Sequence, residues 1–375
     1  MGHRLKAGEI WDEKIERALD AACCVVVLWS AASITRRWVR EEALSGLERH
    51  MLVPVVIERV RPPLGFRSVH YEDLSGWAGE RDHRNLSRLL DVVGGFVAPS
   101  GGEPAGPAWA HAAGNDQFGR WADLSVPSGD PSGPVMQRFR WIESGTFQMG
   151  SPDDEPERWA NEGPRHRVTL SRGFWLADTA CTQALWRAVM GGNPSAFNGD
   201  DRPVERVSWD DVQAFLGRLK EMVSGLDPRL PTEAEWEYAC RAGTVTPFSF
   251  GAQITPEQVN YDGDFPYVGG KKGIDRGETV PVKSLPPNAW ELYEMHGNVW
   301  EWCADGMRTY TAEQQVDPFG ELGEGDAALR AIRGGSWGGA AWRVRSADRG
   351  AIHPGNAIND QGFRVSLRSI EPGPV

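Results

Sequence analysis

Arg-Gly-Gly-Ser-Trp (333–337) and Gly-Phe-Arg (362–364) frame a stretch of irregular sequence near the end of the chain. The paired glycines permit a tight backbone, and Trp337 is a large side chain that can anchor a loop. The residues between the two motifs are rich in Gly, Ala, Asn, Asp and Pro and follow neither helical nor strand periodicity. This composition predicts an ordered surface loop. Because loops of this length are uncommon in compact domains unless they are functional, the pattern favours a binding role over a plain connection.

Large or rigid residues inside this stretch argue against disorder: Trp342, Arg345, Arg349 and Pro354. Phe363 and Val365 alternate with Arg364, a pattern that predicts a half-buried strand. We expect the aromatic landmarks to be buried anchors: Trp337, Trp342 and Phe363.

The composition bounds the class of protein. The chain has 375 residues, a formal net charge of −12 and 17 tryptophans. The acidic balance argues against nucleic acid as a partner. The longest apolar run, Ala21–Trp29, is too short to span a bilayer, and the amino terminus lacks the apolar region of a secretory signal, so no membrane insertion is expected. Five scattered cysteines match no zinc spacing and favour a reducing, cytoplasmic setting.

Residues 1–95 alternate between strand-like and helix-like segments. The apolar runs at 21–29 and 51–57 predict buried parallel strands. Helical spacing predicts helices at 10–20, 38–50 and 87–93. Such alternation predicts a doubly wound α/β unit. Residues 96–134 are rich in Gly and Pro and predict a linker.

Residues 135–370 change to short strand-like runs separated by turns. Two helices stand out, beginning after Ser208 and Thr232, with Asp211 and Glu235 three residues further on. That spacing is typical of a capping box. The sequence therefore predicts a second, loop-rich α+β domain here.

Six motifs in this second region occur in a specific order: Gly-Thr-Phe-Gln-Met-Gly-Ser (145–151), Pro-Val-Glu-Arg-Val-Ser-Trp-Asp-Asp (203–211), Leu-Pro-Thr-Glu-Ala-Glu-Trp-Glu-Tyr-Ala (230–239), His-Gly-Asn-Val-Trp-Glu-Trp (296–302), Arg-Gly-Gly-Ser-Trp (333–337) and Gly-Phe-Arg (362–364). On these motifs the region resembles the formylglycine-generating-enzyme (sulfatase-modifying factor) superfamily. The resemblance implies an α+β domain of the C-type-lectin fold.

Enzymes of that superfamily use a cysteine pair just after the Arg-Gly-Gly-Ser-aromatic motif, where a thiolate binds copper and activates oxygen. This chain has no cysteine there, and the positions are occupied by small residues: Gly338, Gly339, Ala340 and Ala341. Cys303, the nearest thiol in sequence, is expected to be a small buried residue. We therefore expect no catalytic residues and no copper in this domain.

The resemblance also implies a calcium site in Glu294-Met-His-Gly297-Asn-Val299-Trp-Glu301. In relatives, side-chain oxygens at the positions of Glu294 and Glu301 combine with backbone carbonyls at those of Gly297 and Val299. Hard oxygen ligands in a bent loop suit Ca²⁺. The alternative is a loop held by tryptophan packing, with both acids solvated.

The spacing within 333–364 resembles the variable proteins of diversity-generating retroelements, in which adenines, mostly in Asn codons, are mutated. The open positions of that pattern hold residues that an AAC codon reaches by changing adenines alone: Gly338, Gly339, Ala340, Arg343, Asp348, Gly350, Ala351, Ile352 and His353. The diverse stretch that follows adds four candidate ligand-binding residues, which we count with the open positions to give thirteen: Gly355, Ile358, Asn359 and Asp360. Trp342 and Gln361 are not reachable in this way and are expected to be fixed.

Fixed Trp, Arg and Gly residues would hold the backbone while the open positions change, and loops on a rigid scaffold are common sites of recognition. We expect one group of open positions to be exposed on one face: Gly338, Ala340, Asp348, Ile352, His353, Ile358 and Asp360. The resemblance implies a protein or other macromolecular ligand whose identity the sequence does not give.

Residues 4–78 resemble a Toll/interleukin-1-receptor (TIR) domain. The carrying residues are Leu5-x-x-Gly8-x-x-Trp11, Val25-Val-Val-Leu-Trp-Ser30 and Ser33 to Trp38-Val-Arg-Glu-Glu42. In the NAD-cleaving members a Glu four residues after that Trp is catalytic, and Glu42 matches it. Because the first family elements are expected before residue 4, the domain is predicted to be partial.

The main functional hypothesis is a non-enzymatic protein that binds ligands through a diversified surface, with the TIR-like unit as an appended module. Two alternatives stay open: an NAD-hydrolysing TIR effector acting through Glu42 with a sensor domain, or a catalytically inactive relative of formylglycine-generating enzyme with a degenerate loop.

Overall fold

The computed structural model forms two compact units, residues 1–102 and 103–375. It describes residues 24–48, 51–63, 66, 71–77, 85–86, 88–90, 93, 106–129, 131, 133–323 and 328–368. Within those ranges no helix has the length and apolar character needed to cross a membrane.

The described part of the first unit is a parallel α/β layer. Three short strands pair in parallel and lie side by side in chain order: β1 (Val25–Trp29), β2 (Leu52–Val56) and β3 (Glu72–Asp73). Helix α1 (Arg37–Glu48) connects β1 to β2 and buries Ala43 in a cluster with Trp29. Parallel neighbours need such a crossover, so the predicted α/β class is confirmed for this unit.

Most element predictions in the first unit hold. The strands predicted at 21–29 and 51–57 are β1 and β2, and the helix predicted at 38–50 is α1. In the helix predicted at 87–93, residues 88–90 and 93 are helical. The helix predicted at 10–20 lies outside the described residues.

The second unit is built on three sheets. In chain order its strands are β4 (Ala112–Asp116), β5 (Gly119–Val126), β6 (Val135–Ile142), β7 (Gly145–Met149), β8 (His166–Leu170), β9 (Phe174–Ala177), β10 (Pro228–Arg229), β11 (Trp300–Gly306), β12 (Gln315–Val316), β13 (Arg330–Arg333), β14 (Arg349–Ile352), β15 (Gln361–Phe363) and β16 (Ser366–Arg368). An antiparallel sheet has the order β10-β16-β9-β6-β5-β4, a mixed sheet the order β14-β13-β11-β15, and a small sheet the order β12-β8-β7.

In the described part of this unit, three helices cover the sheets: α2 (Gln183–Met190), α3 (Trp209–Met222) and α4 (Glu233–Arg241). The capping boxes predicted at Ser208 and Thr232 are both present and begin α3 and α4. Helix α2 was not predicted. Its signals are the Thr182 side chain, which accepts a hydrogen bond from the Leu185 amide, and Gly191, which ends the helix at a φ of +86°.

The prediction of a linker over 96–134 is wrong for its second half. Strands β4 and β5 form a hairpin there, and β5 pairs with β6 in the large sheet. Buried Ala122, Leu124 and Val126 alternate along β5, so one face of that strand is packed against the core. The Gly and Pro residues nearby mark turns between strands. The alternation of buried and less buried residues along β5 is the sequence signal for a strand, and overall composition does not reveal it.

The main core lies between the large sheet and helices α2 and α3. Trp186 of α2 stacks on Phe215 of α3 with ring centroids 5.2 Å apart. Phe363 of β15 meets both rings edge-on and is fully buried, as predicted. The mixed sheet is thereby fixed to the core through β15, and it carries the ends of the 333–364 stretch.

Candidate functional site

Buried arginines hold the backbone of residues 333–364. Arg345 donates to Glu162 and Glu155, with Nη–Oε distances from 2.6 to 2.8 Å, and all three side chains are at most 3% exposed. Arg349 makes a two-point pair with Glu233 at 2.6 and 2.7 Å. Each paired acid lies more than one hundred residues away in sequence, so the stretch is tied to the domain by charge-assisted hydrogen bonds.

Helix α4 supplies two of the acids because Glu233 and Glu237 lie one helical turn apart. Arg333 lies between them, donating to Glu237 and lying 3.4 Å from Glu233. Burial tends to raise the pKa of Glu237, but Arg241 and Arg333 outweigh it, so the pKa lies below its ordinary value. Glu237 is therefore ionised and holds the first residue of the stretch.

The prediction of a half-buried strand around Phe363 is wrong for Arg364, which alternation would place in water. Arg364 is fully buried, and its Nη2 lies 2.9 Å from Glu301 Oε1. It also donates to the backbone carbonyls of Ala177 and Tyr293. The buried acid at position 301 explains this burial, because it gives the guanidinium a charged partner inside the protein.

The open positions divide by exposure. Gly338, His353, Gly355 and Ile358 are exposed. Eight more are half-buried: Gly339, Ala340, Arg343, Gly350, Ala351, Ile352, Asn359 and Asp360. Trp337 and Trp342, which we expected to be fully buried anchors, are also half-buried. Trp337 packs edge-on against Phe197, and Trp342 packs edge-on against Phe265.

The prediction that Asp348 is displayed on the surface is wrong. Its side chain is fully buried, 3.5 Å from Arg343 Nη1 and 3.9 Å from Arg345 Nη2. Burial raises the pKa of Asp348 to about 7, against the opposing effect of Arg343 and Arg345. Its backbone carbonyl also accepts from Arg333, so Asp348 belongs to the buried ionic framework and not to the display surface.

Among the open positions, Arg343 lies beside two tryptophan rings. A 3₁₀ turn over Ala341–Val344 buries Ala341 and Val344 and leaves Arg343 on the outer side. The Arg343 guanidinium lies 5.7 Å from the Trp159 ring and 5.2 Å from the Trp300 ring. Contacts of this kind hold a cation by its attraction to the aromatic faces.

Two aromatic residues extend this surface and were not predicted. Trp159 is 49% exposed beside Arg343, and Phe265 is 52% exposed beside Trp342. Backbone hydrogen bonds from Ala341 to Phe265 and from Asp262 to Gly339 join the two loops. Neither residue belongs to the open-position pattern, and only their contact in space reveals them.

A hollow of about 220 Å³ opens among these residues. Its walls combine open positions with residues of the mixed sheet: Trp300, Ile332, Arg343, Gly350, Ala351, Ile352, Ile358, Asp360 and Gln361. We call this the variable hollow. A larger hollow of about 630 Å³ lies around Trp209, Arg229 and Phe319 and contains none of the predicted ligand-binding residues. The variable hollow is the better candidate because the open positions converge on it.

The described cysteines of the second unit do not form a thiolate site. Cys181, Cys240 and Cys303 are all buried, as expected for Cys303. Burial raises the pKa of all three thiols, that of Cys240 to about 12. A thiol with so high a pKa stays protonated at neutral pH and is a poor nucleophile.

The residues of the predicted calcium site fit that ion in part. Glu294 is buried, accepts from the backbone amides of Lys283 and Leu285, and has no ion-pair partner among the residues that the structure describes. Burial raises the pKa of Glu294 to about 7, so a cation would favour its charged form. The Glu301 carboxylate is already engaged by Arg364 and by the Trp236 indole at 2.7 Å. Calcium binding at Glu294, Gly297, Val299 and Glu301 stays a prediction.

In the first unit, Glu42 lies on α1 one turn after Trp38, which is 57% exposed. Partial burial raises the pKa of Glu42 above its ordinary value. NAD cleavage through Glu42 also stays a prediction.

Comparison with known proteins places both units. Residues 127–369 match the family model described as the sulfatase-modifying factor enzyme 1-like domain, and residues 2–90 match that of the TIR domain. The chain is 37% identical over 193 residues to the formylglycine-generating enzyme of Streptomyces coelicolor, covering 49% of this chain and 58% of that protein. It is 34% identical over 208 residues to the inactive C-alpha-formylglycine-generating enzyme 2 of Bos taurus, covering 53% and 60%.

Among solved structures, Treponema denticola variable protein 1 superposes with a TM-score of 0.54 at 28% identity, covering 66% of this chain and 99% of that one. These matches confirm the two family resemblances and the C-type-lectin-like fold class. The chain spans less than two thirds of the two curated relatives named above. Because the first family model covers more than half of it, the chain belongs to the family of the sulfatase-modifying factor enzyme 1-like domain and joins that domain to a TIR-domain segment.

Proposed function

We propose that this protein is a non-enzymatic binding protein whose surface at residues 338–360 is diversified to recognise different ligands. The observation that supports the proposal is that the residues holding the backbone are buried, whereas the open positions lie mostly at the surface. Four arginines of the stretch are buried in ion pairs with acids distant in sequence: Arg333, Arg345, Arg349 and Arg364. By contrast, twelve of the thirteen open positions are exposed or half-buried. Side chains on such a surface can change while the backbone remains fixed.

The similarity to Treponema denticola variable protein 1 supports this proposal, since that protein is named for variability and shares the fold across nearly its whole length. Similarity to formylglycine-generating enzymes supports the same fold but not their chemistry here. The positions after Trp337 carry no thiol, and the described cysteines of this domain are buried and protonated.

The ligand is proposed to be a protein or another macromolecule. Two exposed aromatic rings lie beside this surface, Trp159 next to Arg343 and Phe265 next to Trp342. Aromatic residues and Arg are enriched where proteins bind one another. The net charge of −12 disfavours nucleic acid.

A selection experiment tests the proposal. One library randomises the exposed and half-buried open positions, and a matched library randomises an equal number of exposed and half-buried positions lining the larger hollow, including Gln213 and Phe319. Both are displayed and selected against the same panel of folded proteins. The proposal predicts specific binders from the first library at a frequency at least about tenfold above the second. Equal frequencies from the two surfaces, or no binders from either, would overturn it.

A further inference from the structure

We infer that the variable hollow binds a primary carboxamide on a short apolar stem, the group carried by a glutamine or asparagine residue of a polypeptide ligand. This inference rests on the proposed binding function and names the chemical group recognised. The binding site is the hollow itself, and the residue that reads the group is Gln361.

The pairing of β11 with β15 and of β13 with β14 places the residues that line the hollow next to one another. Trp300 and Gln361 are direct neighbours in the parallel pair of β11 and β15, so their side chains project to the same face of the sheet. Ile332 lies opposite Gly350 in the antiparallel pair of β13 and β14. Because Gly350 has no side chain, Ile332 packs directly against its backbone, and a Cβ at 350 would lie only 2.9 Å from the Ile332 side chain.

The buried lining carries an unusual set of unpaired polar atoms. Gln361 is fully buried, and neither its Oε1 nor its Nε2 has a hydrogen-bond partner among the described residues. The neighbouring Asp360 leaves its Oδ1 unpaired, while its Oδ2 accepts from Ser336 at 2.8 Å. Buried polar groups are nearly always paired in folded proteins, so these atoms mark a place where a partner is missing.

The unpaired atoms specify what that partner offers. Two oxygens, Gln361 Oε1 and Asp360 Oδ1, require donors, and the Gln361 amide nitrogen requires an acceptor. A primary carboxamide supplies two N–H donors and one carbonyl acceptor, which matches this set atom for atom. A guanidinium or ammonium group has no acceptor, and a carboxylate has no donor, so each would leave part of the lining unpaired.

The apolar residues that line the hollow favour an apolar stem on the ligand side chain. Trp300 is 8% exposed and Ile332 is 6% exposed, so both present apolar surface deep in the hollow. The methylene groups of a glutamine side chain suit such walls. We call the side chains at the opening of the hollow its rim: Arg343, Ile352 and Ile358. A ligand reaches Gln361 only when rim side chains move aside. Ile358 is 50% exposed and can move in this way.

Fixed and variable residues of the hollow would have different roles in ligand recognition. Gln361 cannot be reached from an AAC codon by changing adenines, whereas Arg343 and Ile352 at the rim can. The Gln361 amide would therefore bind the carboxamide in every ligand. The variable residues at the rim would determine which ligand residues are accepted on either side of it.

The test uses the full chain and three small probes: N-acetyl-glutamine N-methylamide, its glutamate analogue and its methionine analogue. Binding is followed by saturation-transfer NMR and by titration. We expect the glutamine probe to bind, and the other two to bind at least about tenfold more weakly, since each loses two or more hydrogen bonds. Equal binding of the methionine probe would overturn the inference.

Two variants locate the binding. Gln361→Met keeps the length and apolar stem, and it should abolish preference for the glutamine probe while leaving the melting temperature unchanged or higher, because it removes unpaired buried polar atoms. Gln213→Met, on a different surface, is the matched control and should change nothing. Preference retained in Gln361→Met would overturn the inference. If selected binders depend on the rim positions but show no carboxamide preference, the inference fails and the binding function stands.

Discussion

The Arg345 guanidinium donates to both carboxylate oxygens of Glu162, at 2.6 and 2.8 Å, across 183 residues of sequence. Both side chains are fully buried. A residue in the middle of an irregular loop is therefore held by an acid near the beginning of the domain. Such a pair fixes the backbone on either side of it, which is what a surface with changeable side chains requires.

The framework role of Arg345 gives a stability prediction. Arg345→Met should cost about 3–5 kcal/mol of unfolding free energy, because it leaves Glu162 and Glu155 buried without their partner. Ile358→Ala, at an exposed rim position, is the control and should cost less than about 1 kcal/mol. Urea unfolding of both variants compares them. Equal losses would show that framework and rim are not distinct.

Buried Asp348 gives a prediction of pH dependence. Burial raises its folded pKa to about 7 from an ordinary value of 3.8, so the protonated form stabilises the fold at low pH. That contribution is lost as pH rises through about 7. Asp348→Asn should therefore gain melting temperature relative to the natural protein as pH rises from about 4 to about 7, with no further gain above that. Asp200→Asn, an exposed acid, should show no such trend. A constant difference across that range would contradict the assignment.

The sequence predicted much of this framework and missed the rest for physical reasons. Arg345 and Arg349 stood out as rigid landmarks, but their partners lie far away in sequence, and no local pattern connects them. Asp348 followed the codon pattern of display residues, yet its short side chain lies under Arg343, and only tertiary packing shows this. The hairpin of β4 and β5 falls inside the predicted linker because the residues on both sides of it are rich in Gly and Pro.

Calcium removal tests the predicted ion site. If Glu294 and its neighbours bind Ca²⁺, the chelator EDTA should lower the melting temperature, and added calcium should restore it by mass action. Glu294→Gln should abolish that difference, whereas Glu278→Gln, a partly exposed acid outside the predicted ligand set, should preserve it. Melting temperatures that are insensitive to EDTA would remove calcium from the description of this domain.

The missing thiol gives a prediction about chemistry. With copper and oxygen present, the protein should convert no cysteine of a sulfatase-derived peptide to formylglycine, because no thiol follows Trp337 and the described cysteines of this domain are buried. Mass spectrometry of the peptide measures this, with the Streptomyces coelicolor enzyme as positive control. Detectable conversion would contradict a non-enzymatic function.

The most direct test of the central claim is a substitution scan of residues 333–364 with two readouts, thermal unfolding and binding to a selected ligand. Substitutions at exposed Gly338, His353 and Ile358 should change unfolding free energy by no more than roughly 0.5 kcal/mol while altering which ligand is bound. Substitutions at the buried framework arginines should unfold the domain at markedly lower temperature. If the open positions prove as intolerant as the arginines, or if changing them leaves ligand choice unaffected, the display function is contradicted.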